Sequence, residues 1–514
     1  MNPIRLISGF LTVGVWTLAS RVLGFVRDAM ILAFLGTGPL YEAYVVAFRL
    51  PNMFRRFFGE GAFNMAFIPM FSKRLENDET PREFAETAFS GLISVLIVLT
   101  LIAQAAMPWL IYAMASGFSG QEQFDLSVHF GRVAFPYVLF ISLAALLSGV
   151  LNATGRFAAA AAAPVLLNVI LISAMAGAAW IGADVSRALI WGVPVAGVGQ
   201  MALVWWAAKN AGFALYIRRP RWTPEIAELV RVAIPAALAG GVVQVNLLVG
   251  QQVASYFDRA VGWLYAADRL YQLPLGVVGV AVGVVLLPDL SRRLAAGDDN
   301  GARNALSRAG EVSLALTIPA AVALVVVPLP LVSVLFERGQ TTADDSMAIA
   351  AAVAIYGLGL PAFVLQKVLQ PLFFARSDTR SPFRYALVAM AVNAIVAVGL
   401  AMWLQNWLAP AIATTFAGWI MVALLWRGTR PMGEVARFDH RFGQRIWRIC
   451  VASAVMGAAL VAARMALDGA LVTAGWRYLA LTALVLIGIV VYFGTGQVIG
   501  AFRLAEFRSA MRRG

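Results

Sequence analysis

Residues 47–63 have the sequence AFRLPNMFRRFFGEGAF, and residues 20–28 have the sequence SRVLGFVRD; both bring charge into an otherwise apolar chain. The charged residues of the two stretches are Arg21, Arg27, Asp28, Arg49, Arg55, Arg56 and Glu60. An arginine at the centre of a membrane helix costs about 2.5–3.5 kcal/mol on insertion scales, so it is expected to face a partner or a watery cavity. The surplus of positive charge therefore predicts a buried site that binds an anion.

The composition indicates an integral membrane protein. Of the 514 residues, 61% are hydrophobic and 13% are charged, whereas soluble domains contain roughly 45–50% apolar and about 25% charged residues. Cys450 is the only cysteine, which excludes an internal disulfide, and there are 2 histidines. The chain therefore lacks the clustered ligands of a zinc site, and we expect no metal centre.

Hydrophobic segments separated by Pro, Gly and charged residues predict an all-α protein with about fourteen transmembrane helices. The first segment resembles a cleavable signal peptide, but apolar sequence continues past Arg21 to Leu35, which favours an uncleaved first helix. The predicted spans begin near residues 8, 40, 84, 127, 158, 186, 226, 261, 306, 346, 382, 408, 446 and 477.

Lysine and arginine concentrate in alternate loops of this topology. Cytoplasmic loops carry such an excess, so we expect both termini in the cytoplasm. The formal net charge of +13 then reflects topology and contact with anionic membrane lipids. We expect no nucleic-acid partner.

The chain contains a weak internal repeat. AFIPMFSKRL at 66–75 aligns with VLLPDLSRRL at 285–294, an offset of about 220 residues. An even number of spans separates the copies, which predicts a parallel repeat of two six-helix bundles around a central cavity. The second copy would contribute Asp268 and Arg269 to that cavity. The predicted domains are an N-terminal bundle at 1–215, a C-terminal bundle at 216–430 and two additional transmembrane helices at 431–514.

Helix geometry predicts a hinge in the first span. Arg21, Gly24 and Asp28 share one helix face, whereas Arg27 lies about 120° from Arg21 at 3.6 residues per turn. Both arginines can reach one cavity only if the helix bends. Gly24 is the predicted position of the bend.

The second span contains a proline among its charges. Pro51 lacks a backbone donor and is expected to break the helix after Arg49, leaving carbonyls that line protein or water. Arg56 and Glu60 have the i, i+4 spacing of a helical ion pair. A broken helix with charges at the break is typical of a transporter's central site.

Four motifs in this order closely resemble the MurJ (MviN) lipid II flippases of the MOP transporter superfamily. The motifs are SRVLGFVRD, AFRLPNMFRRFFGEGAF, YAADRLYQLPLGVVGVA and LLPDLSRRLAAG. The resemblance covers essentially the whole chain. It implies a bacterial inner-membrane protein of peptidoglycan and cell-wall synthesis that moves the lipid-linked precursor from the cytoplasmic to the periplasmic leaflet.

The resemblance also implies roles for particular residues. The cavity arginines of the family correspond here to Arg21, Arg27, Arg55 and Arg269, and an acid of the second span corresponds to Glu42. The last two helices of the family line a groove for the polyprenyl tail. Where some relatives have an acid after the Asp-Arg pair of the eighth span, this chain has Gln272.

Physical chemistry makes the implied substrate reasonable. The planar fork of arginine pairs with phosphate oxygens bidentately, which suits a polyprenyl-diphosphate-linked glycopeptide carried by alternating access. An exporter of drugs or of another lipid-linked oligosaccharide is the alternative, although a drug antiporter would more naturally carry acids.

An enzyme is not expected, because the aspartate pairs at 298–299 and 344–345 fall on opposite sides of the predicted membrane. We expect a monomer without cofactors. The coupling ion, a contribution of the membrane potential and contacts with cell-wall synthesis proteins are left open.

Overall fold

The computed structural model describes residues 3–56, 62–77, 80–281 and 286–501. Every regular element in these ranges is helical. The chain is therefore an all-α integral membrane protein, as its composition predicts.

Contacts between residues divide the chain into two compact units. Unit 1 contains Met1–Gly262 and Arg338–Thr341, and unit 2 contains Trp263–Glu337 and Thr342–Gly514. The three predicted domains divide the chain according to its sequence repeat, whereas the two units divide it according to contacts between residues. The three domains therefore stay a prediction.

Unit 1 is a helical bundle. The helices are α1 (Pro3–Leu35), α2 (Pro39–Arg55), α3 (Ala62–Asn77), α4 (Pro81–Met114), α5 (Glu122–Ala134), α6 (Tyr137–Ala153), α7 (Ala158–Trp180), α8 (Val185–Asn210), α9 (Pro224–Ala254) and the first turn of α10 (Ala260–Ala281). The most extensive contacts between them join α7 to α8, α6 to α8, α1 to α7 and α2 to α5.

Unit 2 holds the remainder of α10 and a second bundle. The other helices are α11 (Leu287–Ala295), α12 (Asp299–Val326), α13 (Pro328–Phe336), α14 (Ala343–Phe374), α15 (Arg380–Leu404), α16 (Ala409–Thr429), α17 (His440–Val472) and α18 (Trp476–Val498). The most extensive contacts between them join α17 to α18, α15 to α16, α14 to α16, α12 to α14 and α12 to α17.

Side-chain caps fix where several of these helices begin. An N-cap side chain accepts a hydrogen bond from the otherwise unpaired N–H groups of the first turn. In α14 the cap is reciprocal, because Thr342 and Asp345 each accept from the other's backbone N–H. Four more helices have a side-chain cap of this kind: Asp184 caps α8, Thr223 caps α9, Asp298 caps α12 and Asp439 caps α17.

Within the described ranges, 10 helical segments are long and apolar enough to cross a membrane. Thirteen of the predicted span starts fall in different helices, and the start near residue 408 lies one residue before α16. The spans assigned to α1, α2, α9 and α10 are outside these 10. All four helices carry charged residues. The total of fourteen spans therefore stays a prediction.

The predicted break after Arg49 is wrong. The α2 helix continues through Pro51 to Arg55. The φ angle of proline is compatible with a helix, and only one N–H is lost. Leu50 and Pro51 are buried, and Asn52 Nδ2 donates to the Phe48 carbonyl at 3.0 Å. Packing of this turn therefore outweighs the missing hydrogen bond.

Two buried glutamates anchor segments that lie beyond the helices carrying them. Glu86 on α4 accepts a hydrogen bond from Arg82 Nε at 3.0 Å and forms an ion pair with Arg218, whose Nε lies 2.6 Å from Glu86 Oε2. Arg218 belongs to the segment between α8 and α9. Glu311 on α12 pairs with Arg308 and with Arg445 of α17. Each glutamate also accepts a charge-assisted hydrogen bond from an arginine, Glu86 from Arg82 and Glu311 from Arg445, and such bonds are roughly twice as strong as neutral ones.

Candidate functional site

Arg27 forms a buried charge centre on α1 with the next residue, Asp28. The two side chains are 10% and 8% exposed. Arg27 Nε and Nη2 donate to Asp28 Oδ1 at 3.0 and 2.7 Å, so the carboxylate compensates the guanidinium charge. The Phe48 ring of α2 has its centroid 6.0 Å from Arg27 Cζ. The structure thus brings together two of the predicted site residues.

Asn168 of α7 is a third member of this centre that the sequence reasoning missed. Its side chain accepts from Arg27 Nη1 at 2.9 Å and donates to the Ser20 carbonyl at 2.9 Å. Asn168 is 4% exposed. The only available signal was one amide within the apolar run PVLLNVILI at 164–172, where a polar residue in a membrane helix indicates a partner.

Arg21 and Gly24 occupy different surroundings on the same helix. Arg21 is exposed, whereas Arg27 is buried and so is Asp28, which shares the helix face of Arg21. A Cβ at Gly24 would lie 3.6 Å from Asn168 Nδ2. The α1 helix is continuous through Gly24, so its role as a hinge stays a prediction.

Glu42 on α2 is buried, with 1% of its surface exposed. Its Oε1 accepts from the Val261 N–H at 3.1 Å. Val261 lies in the first turn of α10, where N–H groups lack intrahelical partners and the helix dipole favours a carboxylate. Backbones also approach closely here, because a Cβ at Gly262 would lie 3.0 Å from the Thr37 carbonyl oxygen. Glu42 therefore caps this turn.

The arginines of α2 are spread along its length. Arg49 is half-buried, and its Nη1 donates to Gln251 Oε1 of α9 at 2.7 Å. Arg55 is half-buried at the end of α2, and Arg56 is exposed just beyond it. The predicted partner of Arg56, Glu60, lies outside the described residues, so their ion pair stays a prediction.

Asp268 and Arg269 are half-buried on the part of α10 that belongs to unit 2. The Arg269 guanidinium lies 4.2 Å from the centroid of the Tyr265 ring, a cation–π geometry. The Gln272 amide donates to Asp268 Oδ2, so the residue that replaces the acid of some relatives contacts the predicted site. The expected convergence of Arg269 with the arginines of unit 1 stays a prediction.

Unit 2 contains an apolar groove of about 250 Å³ formed by α12, α13, α17 and α18. Its polar hydroxyl, Tyr492 Oη, donates to the Ala315 carbonyl at 2.6 Å. Gly488 leaves room beside Leu460, whose Cδ2 would be 3.2 Å from an added Cβ. The groove therefore offers an apolar surface suited to a hydrocarbon chain.

A family model described as "Lipid II flippase MurJ" matches residues 31–487. The chain belongs to the MurJ family. It is 43% identical over 521 residues to a "Probable lipid II flippase MurJ" of Rhizobium tropici, with 99% of this chain and 97% of the relative covered. A protein of the same description from Rhizobium meliloti (strain 1021) is 44% identical over 523 residues, with 99% and 97% covered.

Solved structures share the fold of this MurJ-family chain. "Lipid II flippase MurJ, inward closed conformation" matches with a TM-score of 0.80 at 23% identity, covering 95% of this chain and 98% of that one. An inward-facing MATE family transporter of the MOP superfamily has a TM-score of 0.63 at 14% identity, with 80% and 95% covered. The MurJ-family chain is thus a multi-pass membrane protein with a transporter fold.

Proposed function

We propose that this chain moves lipid II, the polyprenyl-diphosphate-linked peptidoglycan precursor, from the cytoplasmic to the periplasmic leaflet of a bacterial inner membrane. Membership of the MurJ family supports this function. The observation that carries the proposal is the buried Arg27, compensated by Asp28 and bonded to Asn168. Such a residue is expensive within a membrane protein and marks a site for a charged ligand.

The diphosphate is the part of the substrate that arginine recognises best. A guanidinium offers N–H donors in a rigid fork that matches two phosphate oxygens. Arg21, Arg27 and Arg55 of unit 1 and Arg269 of unit 2 would hold it. Asp28 keeps the Arg27 charge compensated when no diphosphate is present, since an uncompensated buried charge costs about 3–5 kcal/mol.

The apolar groove of unit 2 would hold part of the polyprenyl tail. Its lining is apolar except for the Tyr492 hydroxyl, and this hydroxyl donates its hydrogen bond to the Ala315 carbonyl. A tail that lies in this groove remains in an apolar environment while the polar head crosses by alternating access. The head is the part that cannot enter hydrocarbon without a large desolvation cost.

Direction would come in part from the membrane potential. Moving one charge through 100 mV changes the free energy by about 2.3 kcal/mol. A diphosphate with roughly two negative charges therefore gains about 4–5 kcal/mol on leaving a negative interior. The gain requires that the arginines do not cross with it.

The decisive experiment is translocation of lipid II in cells depleted of their own flippase. The parent, Arg27→Ala and Arg269→Ala are compared at equal membrane abundance. Arg187→Ala is the matched control, because the Arg187 side chain is 80% exposed and pairs with the exposed Asp184. We expect transport by the parent and the control and at least tenfold less transport by the other two variants.

The outcomes separate the alternatives. Full transport by Arg27→Ala and Arg269→Ala would make these arginines structural. Failure of the parent to transport lipid II, together with transport of another lipid-linked oligosaccharide, would replace the proposed substrate. Loss in the Arg187→Ala control would show that the assay reports general damage.

A further inference from the structure

Asn168 connects two points of α1 that lie almost two turns apart. Its Nδ2 donates to the Ser20 carbonyl and its Oδ1 accepts from Arg27 Nη1, both at 2.9 Å. Between these points lies Gly24, whose absent Cβ leaves space for the same amide at 3.6 Å. One side chain of α7 therefore bonds to Ser20 and Arg27 of α1 and lies beside Gly24 between them.

The orientation of this amide follows from its partners. A backbone carbonyl only accepts hydrogen bonds and a guanidinium only donates them. If the amide were reversed, Asn168 Oδ1 would face the Ser20 carbonyl oxygen and Asn168 Nδ2 would face the Arg27 guanidinium, and neither hydrogen bond could form. Asn168 Oδ1 must therefore face Arg27, where it fixes the guanidinium together with Asp28.

We propose that Asn168 is a positioning residue that couples the direction of the Arg27 guanidinium to the shape of α1 around Gly24. The role rests on the proposed function, in which Arg27 contacts the diphosphate. A bend of α1 at Gly24 changes the separation between the Ser20 carbonyl and Arg27. Asn168 then has to give up one of its two bonds, so bending and reorientation of Arg27 occur together.

Gln200 provides a matched control for a purely structural amide. It is 1% exposed, donates to the Ala163 carbonyl of α7 at 2.8 Å and accepts from Tyr137 Oη at 3.1 Å. Gln200→Leu and Asn168→Leu therefore remove the same kind of group from unit 1. Asn168 alone of the two has an arginine as a partner in these bonds.

The test is a double-mutant cycle on binding of purified lipid II in detergent. A hydrogen bond to a charged group accounts for about ten- to a hundredfold in an equilibrium constant. We expect Asn168→Leu to weaken lipid II binding at least tenfold in the parent and less than twofold in an Arg27→Lys background, where the guanidinium is absent. Gln200→Leu should change binding less than twofold in both backgrounds.

Amide hydrogen exchange over residues 20–28 gives a second measurement that needs no substrate. Exchange should be faster in Asn168→Leu than in the parent and unchanged in Gln200→Leu. If Asn168→Leu does not fold, Asn168→Ser, whose hydroxyl is too short for both contacts, takes its place in both measurements.

Equal losses of binding in the parent and Arg27→Lys backgrounds would overturn the coupling to Arg27. Unchanged exchange in Asn168→Leu would overturn the coupling to the shape of α1. If the parent binds no lipid II, the proposed function fails, and exchange alone then decides whether Asn168 holds α1: faster exchange supports that part, and unchanged exchange overturns it.

Discussion

The Gly488→Phe substitution is expected to place an aromatic ring in the apolar groove of unit 2. Gly488 lines the groove, whose volume is about 250 Å³. The new Cβ would lie 3.2 Å from Leu460 Cδ2, and a small movement of that flexible side chain relieves the contact. The ring then occupies space that the proposed polyprenyl tail would use.

The expected loss of affinity is modest, because the displaced tail moves from one apolar environment to another. A water molecule occupies about 30 Å³ in the liquid and a carbon group is of similar size, so a volume of 250 Å³ holds about eight carbon groups. Lipid solvates them as well as protein does, so the loss comes from packing contacts of about 0.1–0.2 kcal/mol per atom pair. If each carbon group loses a net of about one such pair on moving into lipid, the total is on the order of 1 kcal/mol, or about a fivefold higher Kd.

The assay compares lipid II carrying its full tail with a short-tailed analogue that has the same head. Val490→Phe is the control, since Val490 lies on the same helix and is 68% exposed. Gly488→Phe should weaken binding of the full-length substrate about fivefold and leave the analogue and the control unaffected. The same loss for both substrates, or a loss above a hundredfold, would refute the reasoning about the tail.

Three further substitutions test the packing and charge arguments by thermal unfolding in detergent. Pro51→Ala should stabilise the protein by about 1 kcal/mol, because the roughly 3 kcal/mol cost of an interior proline is partly offset by the loss of two buried CH₂ groups at about 0.8 kcal/mol each; a lower melting temperature would contradict this. Glu42→Ala should destabilise by about 1–3 kcal/mol, because it leaves the Val261 N–H without its acceptor, and Glu42→Gln should recover more than half of that loss. Glu86→Gln should cost about 1–3 kcal/mol while the exposed Glu83→Gln stays within about 0.5 kcal/mol, so equal shifts would argue against the buried anchor.

Hydropathy was enough to predict the helical fold, because a membrane leaves few alternatives to helices. Composition and the spacing of apolar segments placed each predicted span start within a different helix or, for residue 408, one residue before it. The Pro51 error had a physical cause. A local rule about a missing N–H took no account of the packing that keeps the turn from Phe48 to Asn52 helical.

The charged residues of the candidate site could be predicted from the sequence, whereas its neutral residues could not. Arg27 and Asp28 stand out in an apolar helix, and the structure joins them. Asn168 could not be paired with Arg27 from sequence, because 141 residues separate them and one amide in a membrane helix has many potential partners. Capping of the α10 turn by Glu42 likewise depends on a contact between distant residues.

The buried glutamates of the two units bear on the predicted repeat. Glu86, near the start of α4, forms an ion pair with Arg218 of the segment that follows α8. Glu311 on α12 forms an ion pair with Arg445 of α17, the helix that follows α16. In the predicted topology α8 and α16 are the last spans of the two bundles. Arginine can bury its stem while its head stays hydrated, which suits a carboxylate near the polar end of a span. Such an ion pair requires only two opposite charges and does not depend on the identity of the surrounding residues. If the two bundles are copies of one ancestral bundle, both can therefore retain the ion pair after most of their other residues have diverged.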